Sequence, residues 1–173
     1  MKFWQAALPL AVLLGLGVLG AVQLMQPEEE SFVAKADRAA PERTFPLLDA
    51  SEETIGFAEP PGDRPVMVNL FASWCAPCRA EHGDITELAD THPGQVYGLA
   101  YKDAPEATRG FLAELGNPFE KIGVDQSGQG GLDFGLTGVP ETFVISPEGK
   151  IILHVRGPLD AERRRKVAAA LAG

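Results

Sequence analysis

Residues 65–78 read Pro65-Val66-Met67-Val68-Asn69-Leu70-Phe71-Ala72-Ser73-Trp74-Cys75-Ala76-Pro77-Cys78, and this stretch decides the fold. Its first half is a short apolar run that follows the loop residues Pro60-Pro61-Gly62-Asp63. Such a run predicts a strand buried on both faces of a sheet. The second half sets two cysteines three positions apart, with Pro77 where the first turn of a helix tolerates a missing N–H. Ile85 and Leu88 give that helix core-facing positions, and His92-Pro93-Gly94 ends it.

Outward from there, Gln95 to Tyr101 reads as a second buried strand. Pro105 to Leu115 reads as a crossover helix whose apolar face is Ala107, Phe111, Leu112 and Leu115. A short strand at Ile122 to Val124 and one helical turn around Leu132 to Phe134 follow. Thr142 to Ile145 and Ile151 to Val155 flank Ser146-Pro147-Glu148-Gly149-Lys150, a hairpin turn. Asp160 is placed to N-cap a last helix running to about Leu171. Thr44 to Leu48 is expected as an edge strand. This order predicts an α/β fold, a mixed β-sheet flanked by helices.

Upstream, Ala6 to Leu24 carries no charge and spans roughly 30 Å as a helix, enough to cross a hydrocarbon core. Lys2 precedes it and Glu28, Glu29 and Glu30 follow, which keeps the N-terminus inside and exports the rest. The segment ends Ala21-Val22-Gln23-Leu24-Met25, a poor match to a signal-peptide cleavage site. The expected organisation is an N-terminal transmembrane helix over 1–25, a linker over 26–41 and a folded domain over 42–173. With 24 acidic against 15 basic residues the net charge is −9, which argues against nucleic acid and against anionic lipid headgroups as partners.

Cys75 and Cys78 are the only two cysteines of the 173-residue chain. Two cysteines within one helical turn, on the exported side, point to a reversible redox pair. Cys75 at the helix N-terminus is favoured as the thiolate that attacks a substrate disulfide, and Cys78 then resolves the mixed disulfide. Trp74 is expected to wall one side of the site. A zinc site lacks a second cysteine pair, and His82, His92 and His154 have no recognisable ligand spacing. A haem attachment motif needs His where Arg79 stands. No metal and no cofactor are expected.

Trp74-Cys75-Ala76-Pro77-Cys78 after a buried strand, with Val139-Pro140-Glu141-Thr142 opening a later one, resembles the thioredoxin superfamily over about 45–172. The narrower resemblance is to the cytochrome c biogenesis thioredoxins, the CcmG or DsbE family. It is carried by Cys78-Arg79-Ala80-Glu81-His82, Tyr97 to Asp103, and Gly138-Val139-Pro140-Glu141-Thr142-Phe143. The resemblance implies a thioredoxin-like fold with a cis Pro140 beside Cys75 and Val139 offering backbone groups to substrate. It also implies a site in the periplasm, anchored in the cytoplasmic (inner) membrane. There it reduces the haem-binding cysteines of apocytochrome c, or acts on a haem-ligation component, and is recharged by a transmembrane thiol reductant.

Thioredoxins carry a buried Asp where this chain has Asn69, and a kinking Pro where it has Gly83. With Asn69 neutral, Glu141 is expected as the carboxylate acting on the thiols, and Glu81 as a solvated helix-face carboxylate. Lys102 and Asp103 are placed to line the substrate groove. Rival readings are a general or copper-site-directed disulfide reductase, and a metal-binding thioredoxin-like module.

Overall fold

The computed structural model describes residues 33–173. Eight strands and four helices follow one another along them. The strands are β1 (Val33–Ala39), β2 (Thr44–Pro46), β3 (Thr54–Gly56), β4 (Val66–Phe71), β5 (Val96–Tyr101), β6 (Ile122–Asp125), β7 (Glu141–Ile145) and β8 (Lys150–Arg156). The helices are α1 (Ala76–Thr91) between β4 and β5, α2 (Pro105–Leu115) between β5 and β6, α3 (Gln129–Asp133) after β6, and α4 (Ala161–Leu171) at the end. This is the expected thioredoxin-like arrangement.

The main sheet has the order β1-β8-β7-β4-β5-β6. β5 runs parallel to both β4 and β6, each reached through a crossover helix, while β7 lies antiparallel to β4 and to β8. Every residue of β4 is buried, which is why its sequence shows no polar alternation. Met67 and Phe71 face the core formed with Ile85 and Leu88 of α1, Phe111 and Leu112 of α2, and Val167 and Leu171 of α4. Val66, Val68 and Leu70 face the opposite core with Phe45, Ile55, Phe57 and Phe134. Asn69 shares the first face by alternation, so the one polar residue of β4 points toward the helix that carries the cysteines.

Two expectations are revised. The second half of the stretch read as a linker forms β1, which pairs antiparallel with β8, and Ala40 after it is buried. The charged residues that made it look like a tether are those of an edge strand: Asp37 pairs with Lys150, and Arg38 donates to the Phe134 carbonyl. The folded domain therefore begins before residue 42. Thr44 to Leu48 contributes β2, which pairs with β3 in a separate two-stranded sheet. It touches the main sheet through a bridge between Leu47 and Gly123. The transmembrane segment 1–25 lies outside the described residues. Among those described, no helix is long and apolar enough to cross a membrane.

Candidate active site

The site is built where β4 ends. Cys75 is the N-cap of α1, and its Sγ accepts the Cys78 backbone N–H across 3.1 Å. Pro77 sits in the first turn, where no N–H is needed. The two cysteines are joined in a disulfide, so this is the oxidised state. Both are nearly covered, Cys75 being 4% and Cys78 2% exposed.

Across from them the Val139–Pro140 peptide bond is cis, and the Val139 carbonyl oxygen lies 3.6 Å from Cys75 Sγ. The cis peptide that the resemblance implies is present, and it places Val139 against the disulfide. Trp74, 61% exposed, stands at the rim with its indole N–H donating to the Lys102 carbonyl across 3.2 Å. Lys102 has φ +47, the only non-glycine with positive φ among the described residues, and its side chain passes over Gly128. Gly128 has φ +76, a left-handed conformation that favours glycine, and a Cβ there would displace the end of the Lys102 side chain, 2.2 Å away at Cε.

Asp103 does not line a groove. It is buried and accepts from Ser73 N–H at 2.7 Å, Ser73 hydroxyl at 2.8 Å, Thr108 hydroxyl at 2.9 Å and Ala104 N–H at 3.1 Å. It ties the loop before the cysteines to the start of α2.

The structure buries both glutamates, so Glu81 is not the solvated helix-face carboxylate the sequence suggests. Glu81 is buried, on one stripe of α1 with Cys78, His82, Ile85 and Leu88. Its Oε1 accepts from the Asn69 side chain at 3.0 Å and its Oε2 from Leu159 N–H at 2.6 Å. Burial pushes its carboxyl up to about 7, against these hydrogen bonds, which favour the charged form. Glu141 is buried too, and burial would push it up. Hydrogen bonds from His154 and Thr137 outweigh that and hold it below the usual carboxylate range. One of its oxygens accepts from Thr137 N–H and hydroxyl and from Gly138 N–H; the other accepts from His154 Nε2 at 2.6 Å. Of the pair, Glu81 is the carboxyl poised to change charge near neutral pH, and Glu141 is the fixed anion.

His154 is the residue sequence reasoning passed over. Its spacing offers only a metal-ligand reading, whereas it stacks on Phe143 with ring centroids 4.1 Å apart and pairs with Glu141. Glu81 had a readable signal, because its position is in helical phase with Cys78, Ile85 and Leu88.

Residues 35–171 of this chain match the Redoxin family. The chain belongs to the redoxin family. Within it, this redoxin is 37% identical over 168 residues to the thiol:disulfide interchange protein HelX of Rhodobacter capsulatus, covering 96% of this chain and 94% of HelX. It is 38% identical over 160 residues to a DsbE homolog of Paracoccus denitrificans, covering 90% and 86% of the two chains. A secreted thiol-disulfide isomerase from Corynebacterium glutamicum shares its fold, with a TM-score of 0.70 over 85% of this chain and 93% of that one at 17% identity. This redoxin is a thiol–disulfide oxidoreductase of the DsbE or CcmG group, with Cys75 and Cys78 as its redox pair.

Proposed function

We propose that this protein reduces the disulfide formed between the haem-binding cysteines of apocytochrome c. In this reading it acts from the periplasmic side of the cytoplasmic membrane, tethered by residues 1–25, and is recharged by a transmembrane thiol reductant. The observation that carries it is the position of Cys75 Sγ, set at a helix N-terminus and 3.6 Å from the Val139 carbonyl. An extended protein segment can pair with that backbone while presenting its disulfide to Cys75. Similarity to DsbE-type interchange proteins supports the choice of substrate.

The chemistry transfers two electrons from the reduced Cys75–Cys78 pair. The Cys75 thiolate, favoured by the N–H groups and dipole at the start of α1, attacks one sulfur of the substrate disulfide. That bond breaks, and the second substrate sulfur leaves as a thiolate and takes up a proton. Cys78 then loses its proton and attacks Cys75 Sγ, which releases the first substrate sulfur and forms the intramolecular disulfide. Glu81, one turn beyond Cys78, takes the Cys78 proton. Its value of about 7 suits that transfer at neutral pH. Trp74, Val139 and Pro140 hold the substrate, and Glu141 acts on the reaction by fixing the loop that carries Val139 and Pro140.

The test is a rate comparison. Reduced protein is mixed with oxidised apocytochrome c and, separately, with insulin. Rapid reduction of the first and slow reduction of the second fits the proposal. Equal rates identify a general exchanger instead.

A further inference from the structure

We infer that His154 is a positioning residue for substrate binding: through Glu141 it fixes the loop whose Val139 backbone receives the substrate segment. The inference rests on the reading of Val139 as the place where an extended substrate pairs. Four observations carry it.

First, the two oxygens of Glu141 are divided. Oε1 is spent on one loop, taking the N–H groups of Thr137 at 3.0 Å and Gly138 at 3.2 Å together with the Thr137 hydroxyl. Oε2 is left, among the described residues, to His154 at 2.6 Å. Second, residues 137 and 138 immediately precede the cis peptide at Val139–Pro140, and the Val139 carbonyl faces Cys75 at 3.6 Å. A carboxylate free to rotate would release both N–H groups and let that carbonyl turn. Third, His154 is itself held. It sits in β8, where Phe143 of β7 is its register partner, and the two rings stack with planes 19° apart. The stack holds the plane of the imidazole, and within that plane Nε2 faces Glu141 Oε2. Fourth, the pair is nine-tenths or more buried on both sides, with side chains 8% and 1% exposed. Burying two polar groups is a poor route to stability when apolar residues fill such space as well. Here the pair connects a strand of the main sheet to the loop that precedes the cis peptide, which packing alone does not require.

Two substitutions separate the donor from the ring. His154→Phe keeps the stack on Phe143 and removes the N–H; His154→Gln keeps a donor at similar reach and removes the stack. Full-length reduced protein is assayed with two disulfides: an oxidised Cys-x-x-Cys-His peptide, which has backbone to pair with Val139, and hydroxyethyl disulfide, which has none. His154→Phe is expected to raise KM for the peptide roughly tenfold, the size of one lost charge-assisted hydrogen bond. Its kcat and its rate with hydroxyethyl disulfide stay unchanged, and His154→Gln restores most of the peptide KM. The inference is overturned if His154→Phe leaves KM alone, if it slows both disulfides alike, or if His154→Gln is as impaired as the phenylalanine variant. Should His154→Phe not fold, His154→Asn, whose shorter amide stops short of Glu141, replaces it under the same criteria. Should wild type show no preference for the haem-motif peptide over other disulfide peptides, the apocytochrome reading fails while this comparison still stands.

Discussion

The side-chain amide of Asn69 donates to Glu81 Oε1 across 3.0 Å, joining the middle of β4 to the α1 stripe that begins at Cys78. Asn69 also reaches the Thr142 hydroxyl at 3.1 Å, so a neutral side chain in β4 holds an acidic one in α1. The titrating group has moved from the strand to the helix, one turn beyond the inner cysteine.

This placement has a consequence for pH. The Glu81 carboxyl rises from 4.5 to about 7 on folding, so its proton is held more tightly in the folded state. Its contribution to stability is complete below about pH 4.5 and is lost as pH rises through about 7, a loss of at most about 3 kcal/mol. Thermal melts of the oxidised protein from pH 4 to 8.5 should show that decline in wild type and a flatter profile in Glu81→Gln. The same variant should lose the limb near pH 7 in the resolution of mixed disulfides. Parallel melting profiles in the two proteins would contradict this account of Glu81.

Asp103 should prove structural. Its two oxygens each hold one backbone N–H, from Ser73 and from Ala104. In Asp103→Asn only one oxygen remains, so one of those N–H groups loses its acceptor whichever way the amide turns. A loss of about 1–3 kcal/mol is expected in urea unfolding, with an unchanged m-value. Trp74, whose loop is released, should show lower fluorescence anisotropy.

Two glycines should respond in opposite directions. Gly149 has φ +73 in the β7–β8 turn, and a Cβ there would lie 1.9 Å from the Ala58 carbonyl oxygen. Gly149→Ala should cost several times the ~1 kcal/mol of an ordinary turn substitution, because backbone must move. Gly83 is exposed within α1, and a Cβ there meets nothing within 4 Å. Gly83→Ala should therefore stabilise the fold by about 0.5–1 kcal/mol. Denaturant midpoints of the two variants check both signs.

The sequence made most of the scaffold readable where one local rule dominates. β4 is a continuous apolar run, α1 and α2 have clear caps or stops, and Asp160 caps α4 by accepting from Glu162 and Arg163 N–H groups. The misreadings share a cause. β1 is stabilised by pairing with β8, a contact more than a hundred residues away in sequence, so its own composition looks like a linker. Glu81 and His154 are polar residues buried because a distant partner satisfies them: Asn69 and Leu159 for one, Glu141 for the other. A charged residue such as Glu81 reads as solvated despite its helical phase, since burial without a partner is costly and its partners are invisible in one dimension, and nothing local to His154 points to Glu141. Cys75 and Cys78 escaped this difficulty, because their chemistry is written in their spacing and residue type, and the cis Pro140 came with the family resemblance.

The central claim is that Cys75 exchanges disulfides with apocytochrome c, and trapping with Cys78→Ser in the native host tests it most directly. Without its resolving thiol the protein should accumulate mixed disulfides through Cys75, with apocytochrome c, or a haem-ligation component carrying it, as the main adduct by mass. A broad set of unrelated envelope proteins, with no enrichment of apocytochrome c, would contradict the claim.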